Sequence, residues 1–95
     1  MAIKVIIRRK ISKDKEGDIL PLLNQLRSRA MMQKGYISGE TWRNIEDPEE
    51  YLVISSWKSY EDWKAWKEDP DRAEIHEKID KLLNRETQYS VYLYG

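Results

Sequence analysis

The 95-residue chain has no cysteine, no phenylalanine, one histidine, three prolines and four glycines. Without cysteine, neither a disulfide framework nor a thiolate metal site can form. A single histidine falls short of the three or four protein ligands that a zinc site takes, so no metal is expected. Net charge is missing too: 17 Lys and Arg balance 17 Asp and Glu. That balance argues against a nucleic-acid binder, which shows a net basic face. No apolar run approaches the length of a membrane span, and the opening M-A-I-K-V-I-I has no small-residue cleavage site. No signal peptide and no membrane partner are therefore expected, and the expected location is the cytoplasm. No P-loop, Rossmann fingerprint, nucleophile elbow or H-E-x-x-H motif occurs. The length is that of one domain, residues 1–95. A domain of this size buries only about 60–65% of the surface its unfolded chain exposes, so its stability is marginal unless a second copy helps.

What is present is aromatic and amphipathic. All ten aromatics are Trp or Tyr, the two that carry a polar handle and favour half-wet places such as pockets and interfaces. Residues 3–11 alternate, with Ile3, Val5 and Ile7 on one side and Lys4, Ile6 and Arg8 on the other, which predicts a strand. The run Arg8-Arg9-Lys10 reads as its solvated end. Ile19, Leu22, Leu23, Leu26 and Ala30 share a helical face. Asp18 as N-cap would place Pro21 among the early residues whose N–H groups lack partners anyway. Gly35 is the expected stop. Residues 36–45 and 51–57 read as an antiparallel hairpin across E-D-P-E-E.

Ser59 with Asp62 three residues on predicts a short capped helix through about Glu68. Asp69-Pro70 opens a second, carrying Ala73, His76, Ile79 and Leu83 in one stripe and ending at Asn84. Residues 87–94 form the last strand. The order strand, helix, strand, strand, helix pair, strand is a ferredoxin-like split βαβ plan of the α+β class. Its four-stranded antiparallel sheet would carry helices on one face. Ile6, Leu52, Ile54, Tyr92 and Tyr94 would then form a second apolar face with nothing to cover it, which predicts a homodimer through that open face.

His76 is the one residue able to act as a base near neutral pH, and so the catalytic candidate. Asp80, one turn on, would hold its ring in one tautomer, and Arg72 would lower its pKa. The plainer reading is a boundary imidazole with an ordinary hydrogen bond. Trp63 and Trp66 lie on one side of a short helix, either as core or as walls for a planar ligand. Tyr36 and Trp42 share a face by parity, as do Tyr51 and Trp57. Glu40 lies between the first two, either as a pocket carboxylate with a raised pKa or displaced by a bulge.

G-Y-I-S-G-E-T-W, Y-L-V-I-S-S-W-K-S-Y-E-D-W-K-A-W and D-P-D-R-A-E-I-H together resemble the antibiotic-biosynthesis-monooxygenase-like group. The resemblance covers almost the whole chain and implies a dimeric α+β barrel. It also implies a monooxygenase-like enzyme that needs no metal or flavin cofactor, acting on a small phenolic or quinol-like aromatic ligand. In the haem-degrading branch of the group, the fixed spacing of aromatics and His falls on Trp57, Trp63, Trp66 and His76. There the His ligates haem iron, and a first-strand Asn faces the pocket at the position held by Ile7. Ile7 cannot supply that Asn's hydrogen bond. The resemblance thus makes Trp66, Trp63, Trp57 and Ile7 pocket-lining, with Glu40 beside them, and ranks haem degradation below cofactor-free oxygenation. A non-catalytic binding or assembly module on the same fold is the alternative.

Overall fold

The computed structural model describes residues 2–94. Strand β1 (Ile3–Lys10) is followed by a 3-10 turn (Lys13–Lys15), helix α1 (Glu16–Ala30) and the hairpin β2 (Tyr36–Arg43) and β3 (Glu50–Trp57). Helices α2 (Tyr60–Lys67) and α3 (Pro70–Leu83) and strand β4 (Gln88–Leu93) complete the chain. The strands form one antiparallel sheet in the order β2-β3-β1-β4. This is the ferredoxin-like α+β arrangement expected from the alternation of patterns. Ile3, Val5, Tyr51 and Trp57 are buried on the face that carries the helices.

The caps explain why α2 and α3 start where they do. Ser59 Oγ accepts from the Asp62 backbone N–H at 3.1 Å, satisfying one of the four orphan donors at that helix start. Asp69 does the same for α3, accepting from Asp71 and Arg72 N–H at 2.9 and 3.3 Å, with Pro70 at the first helical position. Asn84 closes α3 in the left-handed region, with φ 53°. Gly35 also has a positive φ, of 86°. A Cβ there would run into the Asp62 carboxylate, so this glycine is required both conformationally and sterically.

Five local expectations are corrected. Asp18 does not cap α1: the 3-10 turn runs straight into a helix beginning at Glu16, without a side-chain cap. Pro21 then lies inside the helix and removes the donor that would reach the carbonyl of Gly17, an exposed residue where solvent can replace it. The same helix ends at Ala30, with a turn carrying the chain on to Gly35.

Strand β2 is irregular. The pairing Tyr36↔Trp57 is followed by Ser38↔Ser56, so Ile37 is an extra residue on β2. Tyr36 stays on the helix face, its ring edge-on to Trp57 at 5.4 Å. Trp42 and Glu40 are switched to the open face, because a bulge reverses parity beyond it. Arg9 is not a solvated strand end. It continues the Ile3, Val5, Ile7 side and is 6% exposed. Finally, the buried stripe of α3 is Arg72, Ile75, His76 and Ile79, while Ala73 is exposed.

Candidate functional site

Between the sheet and helices α1 and α2 lies a cavity of about 220 Å³. Its sheet wall is Ile7 from β1, Val53, Ser55 and Trp57 from β3, and Tyr36, Gly39 and Thr41 from β2. Leu20, Leu23, Leu26 and Ala30 of α1 line one side, and Trp63 and Trp66 of α2 form the roof. The three indoles are buried. Each is fixed by a neighbour or by its helix. Trp57 Nε1–H donates to Ser55 Oγ at 3.1 Å, and Trp63 packs against Tyr60 and Tyr89 at 5.9 and 5.8 Å. Gly39 keeps the cavity mouth narrow-walled, since a Cβ there would meet the Tyr36 hydroxyl. Its carbonyl accepts from Arg27 at 3.1 Å, tying α1 to β2 at the mouth.

The structure therefore brings together Ile7, Trp57, Trp63 and Trp66, with Glu40 on the rim. The Glu40 carboxylate accepts from Trp42 Nε1–H at 2.8 Å, and both residues belong to the open-face side of the register. His76 does not line this cavity. It borders a wide outer groove beside Asp80 and Arg85 and is linked to the cavity through Arg9 and, by way of the Tyr89 hydroxyl, through Arg72, both of which line it.

Four side chains surround that imidazole. His76 Nδ1 lies 3.3 Å from Asp80 Oδ2, and Nε2 lies 3.0 Å from the Tyr89 hydroxyl and 3.4 Å from Arg9 Nη2. The arrangement assigns the Nδ1–H tautomer: the ring donates to Asp80 and accepts through Nε2. Arg72 donates to the Tyr89 hydroxyl, and to the Lys67 carbonyl at 3.2 Å. Thr87 Oγ1 donates to the other oxygen of Asp80 at 2.8 Å.

Burial pushes the His76 pKa down to about 4, helped by the positive charges of Arg72 and Arg9 and opposed by Asp80. At neutral pH the ring is uncharged, so its contact with Asp80 is a hydrogen bond and not an ion pair. Burial also lowers Arg9 to about 10, with Arg72 adding to the effect and Tyr89 and Asp80 opposing it, so the guanidinium stays charged at pH 7. Haem ligation by His76 would need a free ring nitrogen facing the cavity, and both nitrogens already have partners. Among the described residues no cluster of three or more His, Asp or Glu side chains could hold a metal ion.

Residues 2–78 match the family model for antibiotic biosynthesis monooxygenase. The chain belongs to that family. A curated member of the wider set, protein SchA of Streptomyces halstedii, is 21% identical over 91 residues. The match covers 94% of this chain but 24% of SchA, so the chain spans about a quarter of that relative's length. Among solved structures, a conserved protein from Methanosarcina mazei superposes with TM-score 0.91 at 20% identity, covering 100% of this chain and 94% of that one. Rv0793 from Mycobacterium tuberculosis gives 0.88 at 16% identity, with 100% and 96% coverage. A variant of SnoaB, a cofactor-independent oxygenase from Streptomyces nogalater, gives 0.86 at 10% identity, with 98% and 92% coverage. At these identities the likeness is one of fold.

Sequence reasoning missed Arg9, Arg72 and Tyr89 as partners of the cavity's inner end. The signal for Arg9 was available in the alternation of β1, which puts residue 9 on the same side as Ile3, Val5 and Ile7.

Proposed function

We propose that this family member is a monooxygenase that needs no cofactor and acts on a small phenolic or quinol-like aromatic compound in the cavity. The observation that carries this reading is the cavity itself: a small, mainly apolar, half-enclosed space walled by Trp57, Trp63 and Trp66. Rigid indole plates suit a planar ring, which they hold by stacking or edge contacts. The description of SnoaB as a cofactor-independent oxygenase supports the same chemistry. In such a reaction the activated substrate is its own reductant. In the keto tautomer of the phenol or quinol, a ring CH₂ gives up two hydrogens and two electron pairs' worth of reducing power to O₂; one oxygen atom becomes the new carbonyl, and the other leaves with both hydrogens as water.

The protein's part is to orient the ring and keep bulk water away from it. His76 acts as a positioning residue, because it touches Arg9 and not the cavity. Oxygen consumption with a panel of one- and two-ring phenols and quinols tests the reading. Uptake should fall at least about tenfold in Trp66→Ala, since ring orientation is lost. Uptake unchanged by that substitution would overturn the assignment.

We infer in addition that two copies pair through the open sheet face. Trp42 and Tyr92 are 57% and 55% exposed, and Ile6, Leu52 and Ile54 lie half-buried on the same side of the register. An apolar surface of this kind marks an interface. Sedimentation equilibrium at micromolar concentration should give twice the 11.4 kDa chain mass, and Ile54→Lys should shift it to the single-chain value. The cytoplasm remains the proposed location.

A further inference from the structure

The inner end of the cavity carries two positive charges that no ion pair neutralises. Arg9 and Arg72 both line it, and each is 6% exposed. Among the described residues neither takes part in an ion pair. Their partners are neutral: His76 Nε2 for Arg9, and the Lys67 carbonyl and Tyr89 hydroxyl for Arg72. The nearby carboxylate, Asp80, is hydrogen-bonded to His76 and Thr87 and ion-pairs with neither arginine, so it offsets at most one of the two positive charges, and only from a distance. The Arg9 Nε–H is buried and has no hydrogen-bond partner.

Burying a charge is costly unless it is paired, and a buried donor without a partner adds to that cost. Two such charges at one end of a mainly apolar cavity therefore mark the place of a missing anion. We propose that the cavity binds an aromatic carboxylate, with the carboxylate against Arg9 and Arg72 and the ring between the tryptophans. This rests on the reading of the cavity as an aromatic site and adds the charge of the ligand. A guanidinium is a planar fork of donors that matches a carboxylate, and the free Nε–H of Arg9 supplies a donor that no protein group uses. The cavity lies below the usual range for drug-sized ligands, which restricts the ring system to one or two fused rings.

Calorimetric titration of the full chain with 2-naphthoate and with the near-isosteric neutral 2-naphthamide tests this at pH 7. The carboxylate should bind about tenfold tighter or more, because its hydrogen bonds are charge-assisted, and its advantage should shrink in Arg9→Gln and in Arg72→Gln. Circular dichroism establishes that each variant is folded. Should Arg9→Gln fail to fold, the comparison of the two ligands on the unaltered protein decides alone. Equal affinity for both compounds would overturn the anion site while leaving an aromatic cavity. Binding of neither would overturn both readings. Preferential binding of naphthoate, with no oxygen uptake on any quinol, would support the anion site and sink the oxygenase.

Discussion

The two ends of the helix–sheet layer are built from different kinds of residue. At one end Ile11, Ile19, Tyr51, Ile75 and Ile79 pack together with five leucines of α1 and α3 around them and Leu26 at the margin. At the other, Ile3 and Val5 meet Trp57, Trp63 and Trp66, with Ile7, Leu26, Ala30, Tyr36 and Tyr89 around them. Ile11, Ile19 and Ile79 are completely buried, and none of them lines the cavity. Branched aliphatic chains from a loop and two helices can interdigitate closely.

Indole rings behave differently. Each is a rigid plate with two torsions, and among the strand residues opposite Trp63 and Trp66 are the small Gly39, Thr41, Val53 and Ser55. The plates cannot collapse onto such small partners, so a space remains. Leu26 packs against both clusters, and Arg9, Arg72, His76 and Tyr89 form the polar seam between them. The lesson is that one end carries the stability and the other the shape.

The largest expected effect comes from damaging the closed end. Ile79→Ala should cost about 2–5 kcal/mol, because the methyl groups lost leave a void in a packed core that relaxes only partly. Urea denaturation measures it directly. The same variant, where still folded, should bind aromatic ligands as the unaltered chain does. A loss of binding would show that the two ends are not separable.

The seam should respond to acid. In an unfolded chain His76 titrates near its ordinary value of 6.5, and in the fold near 4. Between those values the unfolded chain takes up a proton that the folded one refuses. The stability linked to this residue is therefore complete above pH 6.5 and is lost as the pH falls toward 4. Allowing for solvent screening, the loss is on the order of 1–2 kcal/mol. His76→Gln keeps a neutral hydrogen-bonding group and should show a correspondingly smaller drop between pH 7 and 4.5. An identical drop in both proteins would assign the acid sensitivity to the carboxylates instead.

Much of the closed end was legible in the sequence, because its signals are local. The alternation in β1, the caps at Ser59 and Asp69 and the stop at Asn84 each act within a few residues. The cavity was legible in part: helical spacing set Trp63 and Trp66 on one side of α2, and the family resemblance added Trp57 and Ile7. The seam was not. Arg9 lies in a basic run that looks solvated, and only the partners contributed by α3 and β4 make its burial possible. The switch of Glu40 and Trp42 comes from one extra residue at Ile37, which parity cannot register. The side of α3 facing the sheet differed from the apolar stripe because Arg72 is buried in place of Ala73. A guanidinium can lie inward when a hydroxyl and a carbonyl receive it.

The smallest stability effect, and the sharpest test of the contrast, is to fill the aromatic end. Val53 is half-buried and lines the cavity. Val53→Phe adds a ring where space already exists, so it should change stability by no more than about 1 kcal/mol, against the 1–3 kcal/mol typical of overpacking a closed core. Binding of a naphthalene-sized ligand should nevertheless be lost, because the added phenyl occupies the space the ligand would take. Stability and binding would then move independently, as the division of the layer requires. A large destabilisation would mean that the tryptophans already close on one another in solution, and a variant that still binds would place the ligand somewhere other than between them.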